Sequence, residues 1–581
     1  MHTSPRRARP RLLATAAAVA LAGGTLVAVA PAQAAAPTAA TAGADLPFTS
    51  VEAESAGGEG SVVGPDYTQG TLASEASGRK AVKLSAGQRV EFTAPAAANA
   101  VNVSYNVPDG QTGSLAVYVN GEKTDATLPL TAKYSYVDTP WIAGAKTHHL
   151  FDNTRTLLGR DVAQGDTVAF EASGDVTVDV ADFEQVADAA EAPAGAVSVV
   201  DHGADPTGAA DSAQAFRDAI AAAQGGTVWI PPGDYQVGSA LQGLANVTLQ
   251  GAGAWHSVVH SSHFIDQTGG SGGVHIKDFA VFGEVTERND SSPDNFVNGS
   301  LGPGSSVSGM WLQHLKCGFW LTGNNDDLVV ENNRILDTTA DGLNLNGNAH
   351  DVSVRNNFLR NQGDDSLAMW SLGAPDTGSS FSGNTISQPN LANGIAIYGG
   401  TDITVENNHV SDTNALGSGI AVSNQKFADP FNPLSGTITV SGNTLDRTGA
   451  LNPNWQHPMG ALRVDSYDSA IEAQVNIDDN TFNDSPYSVF EFVSGGGTGL
   501  AAKNITVDGA SVNGAGTVVV QAETQGQATI GNVTASDIGP AGIYNCPFPA
   551  GSGTFTLDDA GGNSGWDTTW DDCDAWPEPG Q

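Results

Sequence analysis

A chain of 581 residues is longer than one ordinary domain requires, so two or three pieces are expected unless a repeat fold extends one of them. With 63 acidic against 24 basic residues the net charge is −39, a surface that repels nucleic acid and anionic polymers. The three cysteines form no Cys and His cluster at zinc-ligand spacing, which excludes a zinc-stapled scaffold.

The N-terminus pairs an arginine cluster (Arg6, Arg7, Arg9, Arg11) with an apolar run from Leu12 to Ala30 and a small-residue site at Ala32, Gln33 and Ala34. Together these predict a secretory leader over residues 1–35, absent from a mature, extracellular protein. No later stretch is long and apolar enough to span a membrane, so no membrane partner is expected. Acidity of this degree also keeps a secreted protein dispersed, and here it serves only to choose among substrates.

From Leu46 to Val186 short alternating runs are separated by Gly, Pro, Asn and Asp. Val101 to Tyr105, Leu115 to Val119, Thr167 to Phe170 and Val176 to Val180 read as strands, with a tight-turn signal at Asn120-Gly121. The pattern predicts a β-sandwich over residues 46–186. Val51 to Glu54, with LAVYVNG at Leu115 to Gly121, resembles carbohydrate-binding jelly-roll modules. Its aromatics fit either sugar binding or packing against a second domain.

Residues 187–196, poor in large apolar side chains, read as a linker to a second domain over residues 197–581. That domain opens with a helix cappable by Asp211 or Ser212, with Phe216, Ala219, Ile220 and Ala223 on one face and Gly225-Gly226 at its end. The strand from Thr227 follows. This opening resembles the N-terminal cap of right-handed parallel β-helices. Six segments then share an alternating apolar strand followed by an asparagine and another apolar residue, with Asn333, Asn357, Asn384, Asn408, Asn443 and Asn480 spaced 24, 27, 24, 35 and 37 residues apart. A period in the twenties marks stacked coils, and longer spacings mark loops inserted on one side. The asparagines are expected to form an internal ladder at a turn that tolerates left-handed geometry.

A second series aligns one strand per coil: Cys317 to Thr322, Asp341 to Asn346, Asp365 to Trp370, Asn393 to Tyr398, Ser418 to Ser423 and Gly460 to Asp465. Positions three and five are apolar and face the core. Positions four and six then form an outward strip with Asn344, Asn346, Trp370, Tyr398, Ser423, Arg463 and Asp465, a long shallow groove for a polymer. Asn344, Asn346, Trp370 and Tyr398 are the candidate sugar contacts, the aromatics as stacking faces. Position one places Asp341 and Asp365 one coil apart, about 4.8 Å between strands, with Asp364 beside them. Like charges this close raise at least one pKa, which supplies the acid and base of glycoside hydrolysis. Strict alternation would point Asp341 and Asp365 inward, so a bend must turn them into the groove. Separation favours Asp341 with Asp364 as the acid and base pair. No cofactor is expected; metal ligation is undetermined, and clustered Asp oxygens also suit structural calcium. Asp351 lies outside the constellation.

The opening helix and strand, the coils, and the motifs ADGLNLNG (Ala340 to Gly347) and NQGDDSLAMWS (Asn361 to Ser371) resemble the catalytic unit of glycoside hydrolase family 87, the α-1,3-glucanases and mycodextranases. The resemblance covers nearly the whole mature chain. It implies an endo-acting hydrolase of α-1,3-glucan or nigeran, with Asp341, Asp364 and Asp365 catalytic and the configuration inverted. It makes the sandwich an integral neighbour of the solenoid. Two other readings stand beside it, a pectin-active β-helix enzyme and a non-catalytic glycan-binding β-helix. Against pectin, no Lys or Arg occurs from Asn361 to Gln425, and a polyuronate would meet an acidic wall. A neutral α-glucan fits better, met by a monomer. Cys546 and Cys573, close together near the C-terminus, are expected to form a disulfide in an oxidising exterior, and Cys317 to be a buried inert thiol.

Overall fold

The computed structural model describes residues 42–136, 149–539 and 542–569 together with Cys573; the expected leader lies outside the described residues. The fold is all-β, an N-terminal sandwich followed by a right-handed parallel β-solenoid closed at its start by one helix.

The sandwich consists of a six-stranded and a five-stranded sheet, both antiparallel. Asn120 and Gly121 take φ of 51° and 82°, the left-handed pair that a two-residue hairpin turn requires. Phe92, Phe170 and Phe183 meet at its centre, with ring centroids 5.5 and 6.0 Å apart. The strand Val176–Glu184 is buried at every position, although its sequence alternates. Its apolar side chains fill the sandwich core, while its polar ones are covered by the solenoid.

That contact is polar and charged. Asp182 accepts two bonds from the Arg360 guanidinium, at 2.8 and 3.1 Å, with both side chains 3% exposed. Asp152 meets His314 at 2.7 Å, Asn153 bonds Asp337, and Gln388 donates to Asp179 at 2.8 Å. A small apolar patch of Phe48, Trp311, Leu336 and Phe358 lies beside them.

Three parallel sheets of 14, 13 and 11 strands form the solenoid walls. Inward rows such as Leu343, Leu367, Ile395, Ile420, Leu462 and Phe490 stack in register and are fully buried. Each such side chain contributes about 1.5–3 kcal/mol of burial. The helix Ala213–Ala223 covers the first coil, its Phe216 edge-on to Tyr235. Asp211 accepts from the Ala213 N–H at 3.0 Å, whereas Ser212 makes no capping bond, and Gln224 at φ 48° takes the left-handed exit.

The six asparagines form a continuous ladder. The side-chain oxygens of Asn357, Asn384, Asn408, Asn443 and Asn480 each accept from the Nδ2 and the backbone N–H of the preceding rung, at 2.9 to 3.1 Å. Left-handed geometry falls on the residue before each rung, among them Asn332, Asn356, Asn407 and Asp479, and not on the rung itself. The rung amides point inward, where left-handed backbone would break the stack. Cys546 and Cys573 are joined, with Cα atoms 5.6 Å apart, and Cys317 is buried, which pushes its thiol pKa up.

Candidate active site

The strands of the second series begin later than their alignment implies, at Leu343 and Leu367. Asp341 and Asp365 therefore precede the strands, in bends tied together by Gly342 N–H to Asp365 O at 3.1 Å. Alternation does not govern them, and the bend turns both carboxyls out of the core. One oxygen from each of Asp341, Asp364 and Asp365 lies within 4.8 Å of the others. Separation consequently does not single out Asp341 with Asp364, because bending brings one oxygen of all three within that distance.

The three are held differently. Asp341 accepts from Asn344 Nδ2 at 2.8 Å and is 4% exposed. Asp365 accepts from Asn393 N and Nδ2 through one oxygen, at 2.9 and 2.8 Å, and from the Tyr398 hydroxyl through the other, at 2.8 Å. Asp364, the most open of the three, pairs with Arg288 at 2.6 Å. Arg288 also donates to Asp290 at 2.7 Å and to the Gly363 carbonyl at 3.0 Å.

Burial pushes the Asp341 pKa well above the carboxylate range, with the charges of Asp364 and Asp365 adding to it and Arg288 opposing. Burial and then the Asp364 charge push Asp365 up to about 7 against its three donors. Burial also raises Tyr398, so its hydroxyl stays protonated and donates. Asp341 and Asp365 therefore hold protons toward neutral pH.

A cavity of about 400 Å³ opens in front, lined by Asp364, Asp365, Trp370, Tyr398, Phe427 and Trp455 among others, with Asp341 behind. The expected shallow strip is not what forms. Asn344, Ser423, Asp465, Tyr398 and Arg463 are all buried, and only Asn346 and Trp370 are half-buried. The inserted loops rise over the strip: Phe427 stacks on Trp370 at 4.2 Å, and the hairpin of Leu451–Asn452 with His457–Pro458 carries Trp455 at its tip. Tyr398 holds Asp365 and is not an open stacking face, Asn344 holds Asp341, and Asn346 does not line the cavity. Trp370 does line it.

The sandwich braces the acid turn from behind. Tyr136 donates to Thr339 O at 2.9 Å, and His149 Nε2 contacts Asn361 O at 3.0 Å. A β-carbon on Gly363 would stand 2.1 Å from the Tyr136 hydroxyl, so only glycine fits there.

Sequence reasoning missed Arg288, the hairpin and the Phe427 loop. The one signal for the arginine was its scarcity in so acidic a chain.

The family of α-1,3-glucanase catalytic domain D1 matches residues 45–186 and that of domain D2 matches residues 207–566, together most of the chain. The chain belongs to glycoside hydrolase family 87. The crystal structure of the catalytic unit of a thermostable family 87 α-1,3-glucanase from Streptomyces thermodiastaticus strain HF3-3 is 76% identical, with a TM-score of 0.92 over 93% of this chain and all of that one. A family 87 α-1,3-glucanase catalytic domain in complex with nigerose is 25% identical, with a TM-score of 0.79 over 90% of this chain and all of that one. The Agl-KA catalytic domain is 27% identical, with a TM-score of 0.77 over 92% and 100%. No curated protein sequence matches.

For this family 87 glycoside hydrolase, the donors around the acids bear on metal ligation. Calcium takes six to eight oxygens, at 2.3–2.6 Å. Here Asp364 is engaged by Arg288, and both Asp365 oxygens by Asn393 and Tyr398. The clusters Asp152, His314, Asp337 and His457, Glu491, Glu523 are likewise filled by internal hydrogen bonds and ion pairs. These sets fit hydrogen-bonded acids better than a calcium cage.

Proposed function

We propose that the protein is a secreted, endo-acting hydrolase of α-1,3-linked glucan in which Asp341, Asp364 and Asp365 carry the chemistry. The observation behind this reading is the packing of three carboxyls within 4.8 Å beside a polar and aromatic cavity, one of them raised to about 7. Such a set holds a proton for the glycosidic oxygen while a neighbour, ionised, draws a proton from water. Asp364 and Asp365 face the cavity and reach the substrate; Asp341, behind them, shares the proton.

Inversion is carried over from the family pattern. Oxygens within 4.8 Å of one another can be bridged by one water lying about 2.8 Å from each, which gives an attacking water two acceptors. The approach is nevertheless shorter than the roughly 6.5–9.5 Å between carboxyls of typical inverting pairs. Proton NMR of the first product decides the matter: inversion releases the β-anomer first, retention the α-anomer.

A neutral glucan suits the cavity. Arg288 is committed to Asp364 and Asp290, and Arg463 to Asp465 and Glu491, so neither cation is placed for a uronate. Family 87 relatives have been solved in complex with nigerose and with tetrasaccharides. Incubation with α-1,3-glucan, nigeran and polygalacturonate, followed by product chromatography, tests the substrate. Asp341→Asn, Asp364→Asn and Asp365→Asn should each lower kcat by about 10²–10⁴-fold, and wild-type rates in all three would refute the assignment. Secretion predicts a mature N-terminus near Ala36 in culture supernatant.

A further inference from the structure

The cavity in front of the acids continues. A second cavity, of about 520 Å³, shares Trp455, Arg463 and Tyr467 with the first and runs toward the C-terminal coils. On the sheet that carries the acids, the strand Leu367–Met369 is followed by Ile395–Ile397, Ile420–Ser423, Leu462–Asp465, Phe490–Val493 and Val520–Glu523. At about 4.8 Å per strand, Glu523 stands about 24 Å from the Asp365 end of the sheet. That is several sugar units from the bond being cleaved.

The second cavity is built from charged groups below and aromatics above. His457 Nε2 lies 3.3 Å from Glu491 and 3.0 Å from Glu523, and Gln521 Nε2 lies 3.3 Å from His457. Arg463 pairs with Asp465 and approaches Glu491 at 3.8 Å. His457 and Arg463 face Asp465, Glu491 and Glu523, so the floor offers fixed donors and acceptors with most of its charge cancelled and the remainder negative. That suits hydroxyl groups and disfavours an ionic polymer. On the rim, Trp455 is 49% exposed and lies nearly parallel to Tyr467, and Phe548 is 54% exposed. Gly495, Gly496 and Gly497 line the wall between them. A β-carbon on Gly495 would come within 2.6 Å of the Arg463 guanidinium, so the wall stays free of side chains there. A buried ion network needs no half-exposed aromatics at its mouth, whereas pyranose faces do.

We infer that this second cavity is a distal subsite for the same glucan chain, with Phe548 and Trp455 as stacking faces and Glu523 and Arg463 as hydroxyl partners. The inference rests on the glucanase reading and extends it: binding energy gathered far from the reacting bond sets a preference for long chains. The occupant follows from the continuity of the two cavities, because a polymer lying across Asp364 and Asp365 has this channel as its extension.

The test is calorimetric titration of Asp365→Asn protein with α-1,3-gluco-oligosaccharides of increasing length. Affinity should rise with length until the chain spans both cavities. Phe548→Ala and, separately, the isosteric Glu523→Gln, each in that background, should cut long-chain affinity about tenfold and leave the shortest ligands within twofold. An unchanged length dependence in both variants overturns the inference, as does absence of binding at every length. Cleavage of glucan by the wild-type protein is scored separately, so failure of the hydrolase reading and failure of the subsite give different results.

Discussion

Arg288 offers the sharpest perturbation of the proposed chemistry. Its guanidinium is 2.6 Å from Asp364 with the two side chains 12% and 17% exposed, and its charge also holds down the Asp341 pKa. Two unit charges about 4 Å apart at an effective dielectric near 20 interact by about 4 kcal/mol, and a carboxyl beside an arginine shifts by about 1–3 pKa units. Arg288→Met removes the cation that pairs with Asp364 and opposes protonation of Asp341, so Asp341 keeps its proton to higher pH. The acidic limb of the kcat/KM profile should move up by about 1–2 pH units. Activity near pH 5 should fall about 10–100-fold and recover as pH rises. Arg288→Lys retains the charge without the fork; its limb should stay near wild type while kcat falls at all pH values. Rates measured from pH 4 to 9 on a soluble α-1,3-gluco-oligosaccharide decide the matter. A uniform loss in Arg288→Met with the limb unmoved would show that the arginine only anchors its loop to Asp290 and Gly363.

Tyr398→Phe removes a 2.8 Å donor to Asp365, a bond to a charged acceptor of about 1.5–3 kcal/mol. The acidic limb should again rise and kcat fall about tenfold or more; a higher KM with an unchanged pH profile would instead mark the hydroxyl as a sugar contact. Arg360→Met leaves Asp182 buried without its cation, which should cost about 3–5 kcal/mol in denaturant unfolding. Much of that should return in the double variant with Asp182→Asn, and a single-variant loss below about 1 kcal/mol would argue against this bridge. Glu52, Asp337, Asp365 and Asp376 are raised to about 7 and Glu75 to about 8, chiefly by burial. Between about pH 4.5 and 8 the folded chain therefore binds more protons than the unfolded one, and stability falls as pH rises. The raised His457 acts with the same sign, while depressed acids such as Asp182 and Glu491 lose their contribution only at lower pH. Tm by calorimetry should be higher at pH 5 than at pH 8, and the reverse order would refute the assignment.

What repeats along the chain is what the sequence made legible. Coil period, inward rows and the asparagine ladder recur once per coil, with ladder steps from 24 to 37 residues, because neighbouring strands impose the same chemistry on the same register. Features that occur once had no such signal. The loop holding Arg288 and the covering hairpin come from insertions, whose positions are set by tertiary contacts. Tyr398 shows the limit within a repeat: alternation gave its side of the sheet, but not the acid there to which its hydroxyl donates. The acids escaped alternation because it begins only where the strand does, two residues later.

The close fit of Tyr136 over Gly363 bears on how this enzyme can be divided. The turn carrying Asp364 and Asp365 has solenoid on one side only; its other wall is made by Tyr136 and His149, which the sandwich supplies. A solenoid expressed alone would keep its acids in sequence and lose the surface against which they are set, besides baring Arg360 and Asp337. Truncation at residue 196 should therefore give no small working core. For engineering, the smallest transferable catalyst is both layers together, and exchange of sandwiches between relatives will succeed only where the donor brings a tyrosine to meet that glycine.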